Sequence, residues 1–435
     1  MKKNILIISD FFAPDNEIAA IRLTKIGKYL SLSGYKVDIL KRGKSGRKED
    51  ILLKKDLKYF NIIFENYNSS VYNLLYRKTL GRYNKNNSEG KIKKQARKNK
   101  IIYFIKNIIS FIIQEIIYFN YYYTAILRKD IQFENYDLIF SSYRPISSHL
   151  IGAFIKKKNK NVTWIADFRD SINNIMTPRI FWTYNSLYER KVLKNADIIT
   201  VVSTGCFSFL SSKIHVIPNG FDEDDYSKND ENQKITLSNK YIYTYTGEMY
   251  GGKRNMRVFF RILKELIDEQ IIKKENIEIR YLGRSAEYFF EQACDFLSKD
   301  IIRNYGFVSR EEAIIAQNES NTLLLASWND ANNQGVITGK VYEYLMAEKP
   351  ILCFINGNIA DSELKNMIKS FEIGCCYEEA NAIIDYPNMK NYIKEQIMNW
   401  KKNNKVKITP NYQFINKYNY KVIVKEIVNI IEKTR

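Results

Sequence analysis

Short apolar runs alternate with amphipathic stretches along most of the chain. Ile5–Ser9 reads as a buried strand, Ile21–Ser33 as a helix stopped by Gly34, and Lys36–Leu40 as a second strand. Asp137–Ser141 and Thr163–Ala166 read as further strands with a helix at Ile146–Lys157 between them. Tyr184–Asn195 then reads as a helix and Ile198–Ser203 as a strand. This alternation predicts a parallel sheet covered by helices on both faces. Residues 41–100 break it, being basic, polar and expected to be partly mobile.

At His215-Val-Ile-Pro-Asn-Gly-Phe-Asp222 the character changes, with a turn at Pro218 to Gly220 and polar residues on to Lys240. The alternation then restarts. Strands are expected at Tyr241–Thr246, Ile277–Leu282, Ile301–Phe307 and Thr322–Ala326. Helices are expected at Met256–Glu269, Ser285–Leu297 and Arg310–Asn318. The expected fold is α/β: two Rossmann-like, doubly wound domains facing across a cleft, at 1–217 and 218–411. Residues 412–435 form a helix, apolar at Ile415, Tyr418, Val422, Ile423, Ile427, Ile430 and Ile431, that packs back on the first domain.

A length of 435 residues agrees with two domains. The five cysteines lack metal-ligand spacing, and an odd count argues against a disulfide framework. With only His149 and His215, neither a His-rich metal site nor a Ser-His-Asp triad is expected, and no metal is expected. The apolar run after Lys3 ends at Asp10, too short for a signal sequence, so a cytoplasmic protein is expected.

The net charge is +20, and residues 77–100 carry ten Lys or Arg against the single acid Glu89. Next comes an apolar segment, 101–119, whose polar stripe on a helix is Tyr103, Lys106, Asn107, Ser110, Gln114 and Tyr118. Lys106, Glu115 and this stripe argue against a membrane span. Core packing and contact with a membrane interface remain as readings of the helix. The basic segment is expected to attract an anionic membrane surface, placing the protein at the inner face of the cell membrane. No nucleic-acid-binding motif is present, so nucleic acid is not an expected partner.

Ligands of doubly wound sheets sit beyond the carboxyl ends of the strands, and four such loops are chemically rich. The first, Phe11 to Arg22, follows Glu17 with small residues at Ala19 and Ala20 that permit close packing of a ligand, and Arg22 could meet an anion; an ordinary strand–helix connection fits equally. The second, Trp164-Ile-Ala-Asp-Phe-Arg-Asp170, ends a strand in two acids and Arg169. Asp167 or Asp170 could take a proton or a hydroxyl hydrogen bond, and a structural Asp–Arg pair is the competing account. The third, Tyr245 to Asn255, sets Gly247 beside Lys253 and Arg254, a layout for charge-assisted contacts to a diphosphate. A glycine-rich turn with solvated cations would look the same. Gly283 ends a further strand. The acids of Asp222-Glu-Asp-Asp225 read as solvated. In the fourth, Gly335 to Phe354, Thr338 and Gly339 begin a helix with Lys340 in its first turn and Glu343 one turn on. A helix start favours anions, and an ordinary capped helix fits equally.

Several of these motifs occur together in order: Ala20-Ile-Arg22, Asp167-Phe-Arg-Asp170, Val216-Ile-Pro-Asn-Gly-Phe-Asp222, Tyr245-Thr-Gly247 with Lys253-Arg254, and Gly339-Lys-Val-Tyr-Glu-Tyr-Leu345 with Lys349-Pro-Ile351. In this the chain resembles the GT-B glycosyltransferases, specifically the large retaining family that uses nucleotide-sugar donors. The resemblance implies a nucleotide-sugar donor held by the second domain and a lipid-linked or oligosaccharide acceptor held by the first. It implies that Lys253 and Arg254 neutralise the leaving diphosphate, that Glu343 binds the ribose, and that backbone near Val308 and Ser309 reads the base. No metal or other cofactor is implied.

The chain departs from that family at Gly335, where the first Glu of an E-x7-E motif would stand; Asn333 or Gln334 is the nearest substitute. Its first loop has Glu17-Ile-Ala-Ala20 in place of paired glycines, and no histidine lies near Asp167 in sequence. A UDP-sugar 2-epimerase of the same architecture and a non-catalytic nucleotide-binding relative are the alternatives.

Overall fold

The computed structural model describes residues 3–42, 49–65, 131–170, 172–173, 178–204, 213–226, 239–331 and 334–434, with helical positions 108, 109, 111, 112, 115, 116, 119, 123 and 126. The basic segment 77–100, Asn333 and the polar stripe of 101–119 lie outside the described residues.

The first lobe runs β1 (Asn4–Ile8), α1 (Ile18–Leu32), β2 (Lys36–Arg42), α2 (Ile51–Lys55), β3 (Asn61–Glu65), β4 (Leu138–Tyr143), α3 (Ile146–Lys158), β5 (Thr163–Phe168), α4 (Trp182–Asn195), β6 (Ile198–Val201) and β7 (Ile214–Val216). Its seven strands lie in the order β3-β2-β1-β4-β5-β6-β7. Every pairing is parallel. Ile5 to Ile8 are fully buried because helices cover both faces, which is why the strand reads as an unbroken apolar run.

The second lobe runs β8 (Tyr241–Thr246), α5 (Arg257–Asp268), β9 (Ile277–Leu282), α6 (Ala286–Ala293), β10 (Ile302–Gly306), α7 (Arg310–Asn318), β11 (Thr322–Trp328), α8 (Lys340–Ala347), β12 (Ile351–Asn356), α9 (Glu363–Phe371), β13 (Gly374–Glu378) and α10 (Ala382–Asn403). Its six strands are ordered β10-β9-β8-β11-β12-β13, all parallel. In each sheet the order reverses beside the first strand, and that switch point opens the crevice where doubly wound folds bind ligands.

The chain then crosses back. Backbone bonds join Phe221 to Tyr418 and Tyr420, so the outward and return crossings lie side by side. The last helix, α11 (Tyr420–Thr434), buries Tyr420, Ile423, Val424, Ile427 and Ile431 with Leu23, Ile26 and Leu30 of α1.

Two local readings change. Part of the interval 41–100 is regular: Asp50 caps α2 by accepting from the amides of Leu52 (2.9 Å) and Leu53 (3.1 Å), and β3 adds an edge strand to β2. The described helical positions between 108 and 126 pack Phe111, Phe119, Tyr123 and Ile126 into the first-lobe core and leave Ile109, Ile112 and Ile116 exposed. Its Glu115 accepts from the amides of Ile146 (3.2 Å) and Ser147 (3.1 Å) at the start of α3. Among the described residues no helix is long and apolar enough to cross a membrane.

Candidate functional site

Strand-end loops of the two lobes meet. The Ser203 hydroxyl donates to the Gly335 carbonyl at 3.0 Å, and Thr204 Oγ1 donates to Glu363 Oε2 at 3.2 Å. Ile18 packs against Gly339, where a Cβ would lie 2.8 Å from the Ile18 side chain, so glycine is needed for this approach.

Around the switch point of the second lobe, Arg254 is buried while Lys253 is exposed. The Arg254 guanidinium donates to the Glu248 carbonyl at 2.9 Å and lies 4.7 Å from the Tyr250 ring centre and 5.9 Å from that of Trp328. Lys253 Nζ lies 5.7 Å from the same indole. Among the described residues no carboxylate pairs with Arg254. Arg254 Nε and Trp328 Nε1 are both buried donors without an acceptor. Unmatched buried donors are uncommon in native proteins and need an account. Gly247 and Gly283 bring two loops together here: a Cβ on Gly283 would lie 2.0 Å from the Gly247 carbonyl oxygen, and Gly247 has a φ of 142°. The loop is tied to α8 by Tyr344, whose hydroxyl accepts from the Thr246 amide at 3.1 Å.

The helix α8 starts at Lys340, with Gly339 at its cap. Thr338 Oγ1 accepts from the Lys340 amide only at 3.4 Å, a long contact that leaves the first turn largely uncapped. One turn on, Glu343 is buried. Its Oε1 accepts from Arg310 Nε at 3.1 Å and its Oε2 from Lys340 Nζ at 3.0 Å. Burial alone would raise its carboxyl, but Lys340 and Arg310 outweigh it and hold the group at about 2. Arg310 also reaches Asp225 at 3.0 Å and approaches Asp50 of the first lobe at 3.7 Å. A pocket between the lobes is lined by Ile18, Tyr226, Arg310, Gly339, Tyr342 and Glu343, among others. Ser309 is engaged locally, its amide donating to Glu312 Oε2 at 2.7 Å within a capping box. Val308, beside it, is half-buried.

The first lobe corrects several expectations. Asp167 is fully buried and accepts from Arg22 Nη2, Ser142 Oγ and Thr200 Oγ1, each at 2.8 Å. Burial would raise its carboxyl, yet Arg22 and those hydroxyls hold it below the usual carboxylate range. Both of its oxygens are engaged by protein donors, an arrangement that fits a structural anchor. Arg22 is equally committed, donating also to the Pro218 carbonyl at 2.8 Å, and Ala20 lies wholly inside the core. Glu17 and Asp170 remain exposed, and Arg169 is half-buried. Arg169 lies 5.1 Å from the Phe11 ring centre and donates from Nε to the Tyr143 carbonyl at 2.6 Å.

Asp222 and Asp225 are not solvated either. With Asp56 they form a tight carboxylate group, and its centre is held by Lys25, whose Nζ lies 2.7 Å from Asp56 and 2.8 Å from Asp222 and also contacts Asp225. An ammonium therefore stands where a cation would.

Arg310, Trp328 and Tyr226 were not singled out by the sequence reading. Arg310 has a local signal, since it is the first helical residue inside the Ser309-x-x-Glu312 capping pattern. Trp328 had none beyond its place at a strand end.

No protein-family model and no curated protein matches this chain. Among solved structures it is similar to the N-terminal domain of Candida albicans trehalose-6-phosphate phosphatase, at 9% identity and TM-score 0.59, covering 99% of this chain and 97% of that one. It is also similar to the E. coli trehalose-6-phosphate structure bound with UDP-2-fluoro glucose, at 10% identity and TM-score 0.56, covering 99% of each chain. A third likeness, to a UDP-N-acetylglucosamine 2-epimerase described as putative from Listeria monocytogenes, has 11% identity and TM-score 0.50 over 100% of this chain and 96% of that one. At such identities the likeness shows the fold. The chain has the two-lobed GT-B fold.

Proposed function

We propose that the protein is a retaining glycosyltransferase that moves a sugar from a nucleotide-sugar donor, a UDP-sugar, to a lipid-linked or growing saccharide. In this reading it works in the cytoplasm at the inner face of the cell membrane, in bacterial surface polysaccharide synthesis, with residues 77–100 attracted to anionic lipid.

The observation that carries the reading is Arg254: a buried guanidinium without a carboxylate partner, whose Nε, with Trp328 Nε1, has no acceptor. A buried cation of this kind suits an anionic ligand, and the diphosphate of a nucleotide-sugar supplies the charge and the acceptors. The nearly uncapped start of α8, with Gly339 and Lys340, adds amides and charge on the same side of the sheet. Each Glu343 oxygen accepts from one cation and keeps a lone pair for a ribose hydroxyl. As the bond from sugar to phosphate breaks, Arg254 and Lys253 neutralise the charge that develops on the leaving group. The acceptor enters past Arg169 and Asp170. With Asp167 saturated, the departing phosphate oxygen takes the acceptor proton. The UDP-2-fluoro glucose in the E. coli structure motivates the choice of UDP.

The test is calorimetric titration with UDP, followed by product analysis with a panel of UDP-sugars, with and without acceptor. Transfer that needs an acceptor and retains the anomeric configuration supports the proposal. An isomerised sugar formed from donor alone indicates a 2-epimerase instead, and tight UDP binding without turnover indicates a non-catalytic relative.

A further inference from the structure

Two neighbouring helices of the first lobe expose apolar side chains that no part of the described fold covers. On α4 and its approach these are Ile180, Tyr184 and Leu187, one stripe at helical spacing. On the 108–126 helix they are Ile109, Ile112 and Ile116. The six residues are between 40 and 64% exposed. The helices are in contact: the rings of Phe111 and Phe181 stack at 5.1 Å, and Glu115 accepts from the Ile146 amide while Tyr188 donates to the Ile146 carbonyl at 3.2 Å.

The exposed charges on α4 and its approach are cations. Arg179 precedes the stripe, and Arg190, Lys191 and Lys194 follow it, all exposed. The one acid of α4, Glu189, is half-buried, and burial pushes its carboxyl up to about 7. Scattered exposed apolar residues need no account, but two adjacent stripes with cations on either side do.

The position of the face matters as well. In a right-handed crossover the helices run antiparallel to the strands, so α4, which follows β5, begins at the carboxyl edge of the sheet. The α4 stripe lies at the start of its helix, at the carboxyl edge of the sheet, where strand-end loops of doubly wound folds form the cleft.

We propose that this face docks onto an anionic lipid bilayer, with the isoleucines, Tyr184 and Leu187 entering the headgroup boundary and Arg179, Arg190, Lys191 and Lys194 contacting lipid phosphates. It rests on the preceding reading only for its purpose, which is to bring a lipid-linked acceptor to the cleft. The binding itself is separate from catalysis.

The experiment is co-sedimentation of the full chain with phosphatidylcholine vesicles with and without phosphatidylglycerol, at low and high salt. The wild type is expected to bind only phosphatidylglycerol vesicles, with salt weakening the attachment. The triple variant Ile180→Ser, Tyr184→Ser, Leu187→Ser should bind at least about tenfold more weakly, since apolar burial is removed. Arg190→Glu with Lys194→Glu should cost about 25-fold or more, at about fivefold per cation. Ile383→Ser with Ile384→Ser, even more exposed but on the second lobe, should change nothing. UDP affinity, measured alongside, reports folding; if the triple variant loses it, the charge-reversed variant decides.

The proposal is overturned if the wild type ignores anionic vesicles, or if both first-lobe variants bind as the wild type does. A dimer in solution that the triple variant converts to monomer also overturns it, since the face would then belong to a second copy. A failure of UDP to bind the wild type would instead sink the glycosyltransferase reading and leave vesicle binding intact.

Discussion

Arg310 Nε donates to Glu343 Oε1 at 3.1 Å while Nη2 of the same guanidinium meets Asp225 at 3.0 Å. One side chain thus ties the candidate ribose carboxylate to the segment joining the lobes. Arg310→Ala would leave both acids without this partner, and removing one member of a buried ion network costs about 3–5 kcal/mol. Urea denaturation should show that loss, with UDP affinity falling as Glu343 loses its orientation. A stability within about 1 kcal/mol of wild type would show that the network is not structural.

Arg254→Ala should behave oppositely. No carboxylate is left unneutralised, so the melting temperature should change little, while UDP binding weakens by about 1.5–3 kcal/mol, the worth of a charge-assisted hydrogen bond. Trp328→Phe keeps the ring and deletes the orphaned donor; a loss of about 0.5–1.5 kcal/mol in UDP affinity is expected. Unchanged calorimetric affinity in both variants would remove the diphosphate from this position.

For Asp167 the expected outcome is structural. Asp167→Ala strands Arg22 in the core and should cost about 3–5 kcal/mol. Pairing it with Arg22→Met should recover part of that loss. A catalytic base would behave differently: Asp167→Asn would abolish turnover in an enzyme of unchanged stability. Melting curves and kcat measured on the same variants separate the two.

Stability should respond to pH through His149. Burial holds its imidazole down at about 3, against about 6.5 in an unfolded chain. Below pH 6.5 the unfolded chain therefore takes up a proton that the folded one refuses. The stability is present in full above 6.5 and declines toward pH 3, by up to about 1.4 kcal/mol per unit. His149→Gln should flatten this slope between pH 6.5 and 5. If its profile matches wild type, the assignment fails.

A second decline should follow at lower pH. Burial would raise the Asp222 carboxyl, but Lys25 and Lys28 hold it at about 2, and Glu343 is likewise held at about 2. Both groups have depressed values, so their contribution is intact above about pH 5 and lost as pH falls toward 2, by roughly 2–3 kcal/mol for Asp222 and roughly 3 kcal/mol for Glu343. Chemical denaturation at pH 5, 4 and 3 measures it, with Asp222→Asn as the variant that should lose part of the dependence.

Much of the architecture was legible in the chain because buried parallel strands must be continuous apolar runs. Ile5–Ser9 and Tyr241–Thr246 stood out for that reason. The elements missed were α2 and β3, short pieces at a sheet edge embedded in polar sequence, where local pattern is weak. At the site, Arg254 and Glu343 were visible as charged residues at the start of a helix or just inside one. Asp167 and Arg22 were visible too, but their role was not. The sequence shows that charges sit at strand ends, and it does not show whether they face a cleft or each other.

By itself, then, the sequence determined the two α/β lobes, the return of the last helix and the places where strand-end loops carry charge, since all of these follow from hydrophobic periodicity and turn residues. The tertiary structure decided which charges are spent. Asp167 with Arg22 and Asp222 with Lys25 neutralise one another across 145 and 197 positions of chain, whereas Arg254 is buried without such a partner. Burial and pairing depend on contacts between residues far apart in the chain, and no local pattern encodes them.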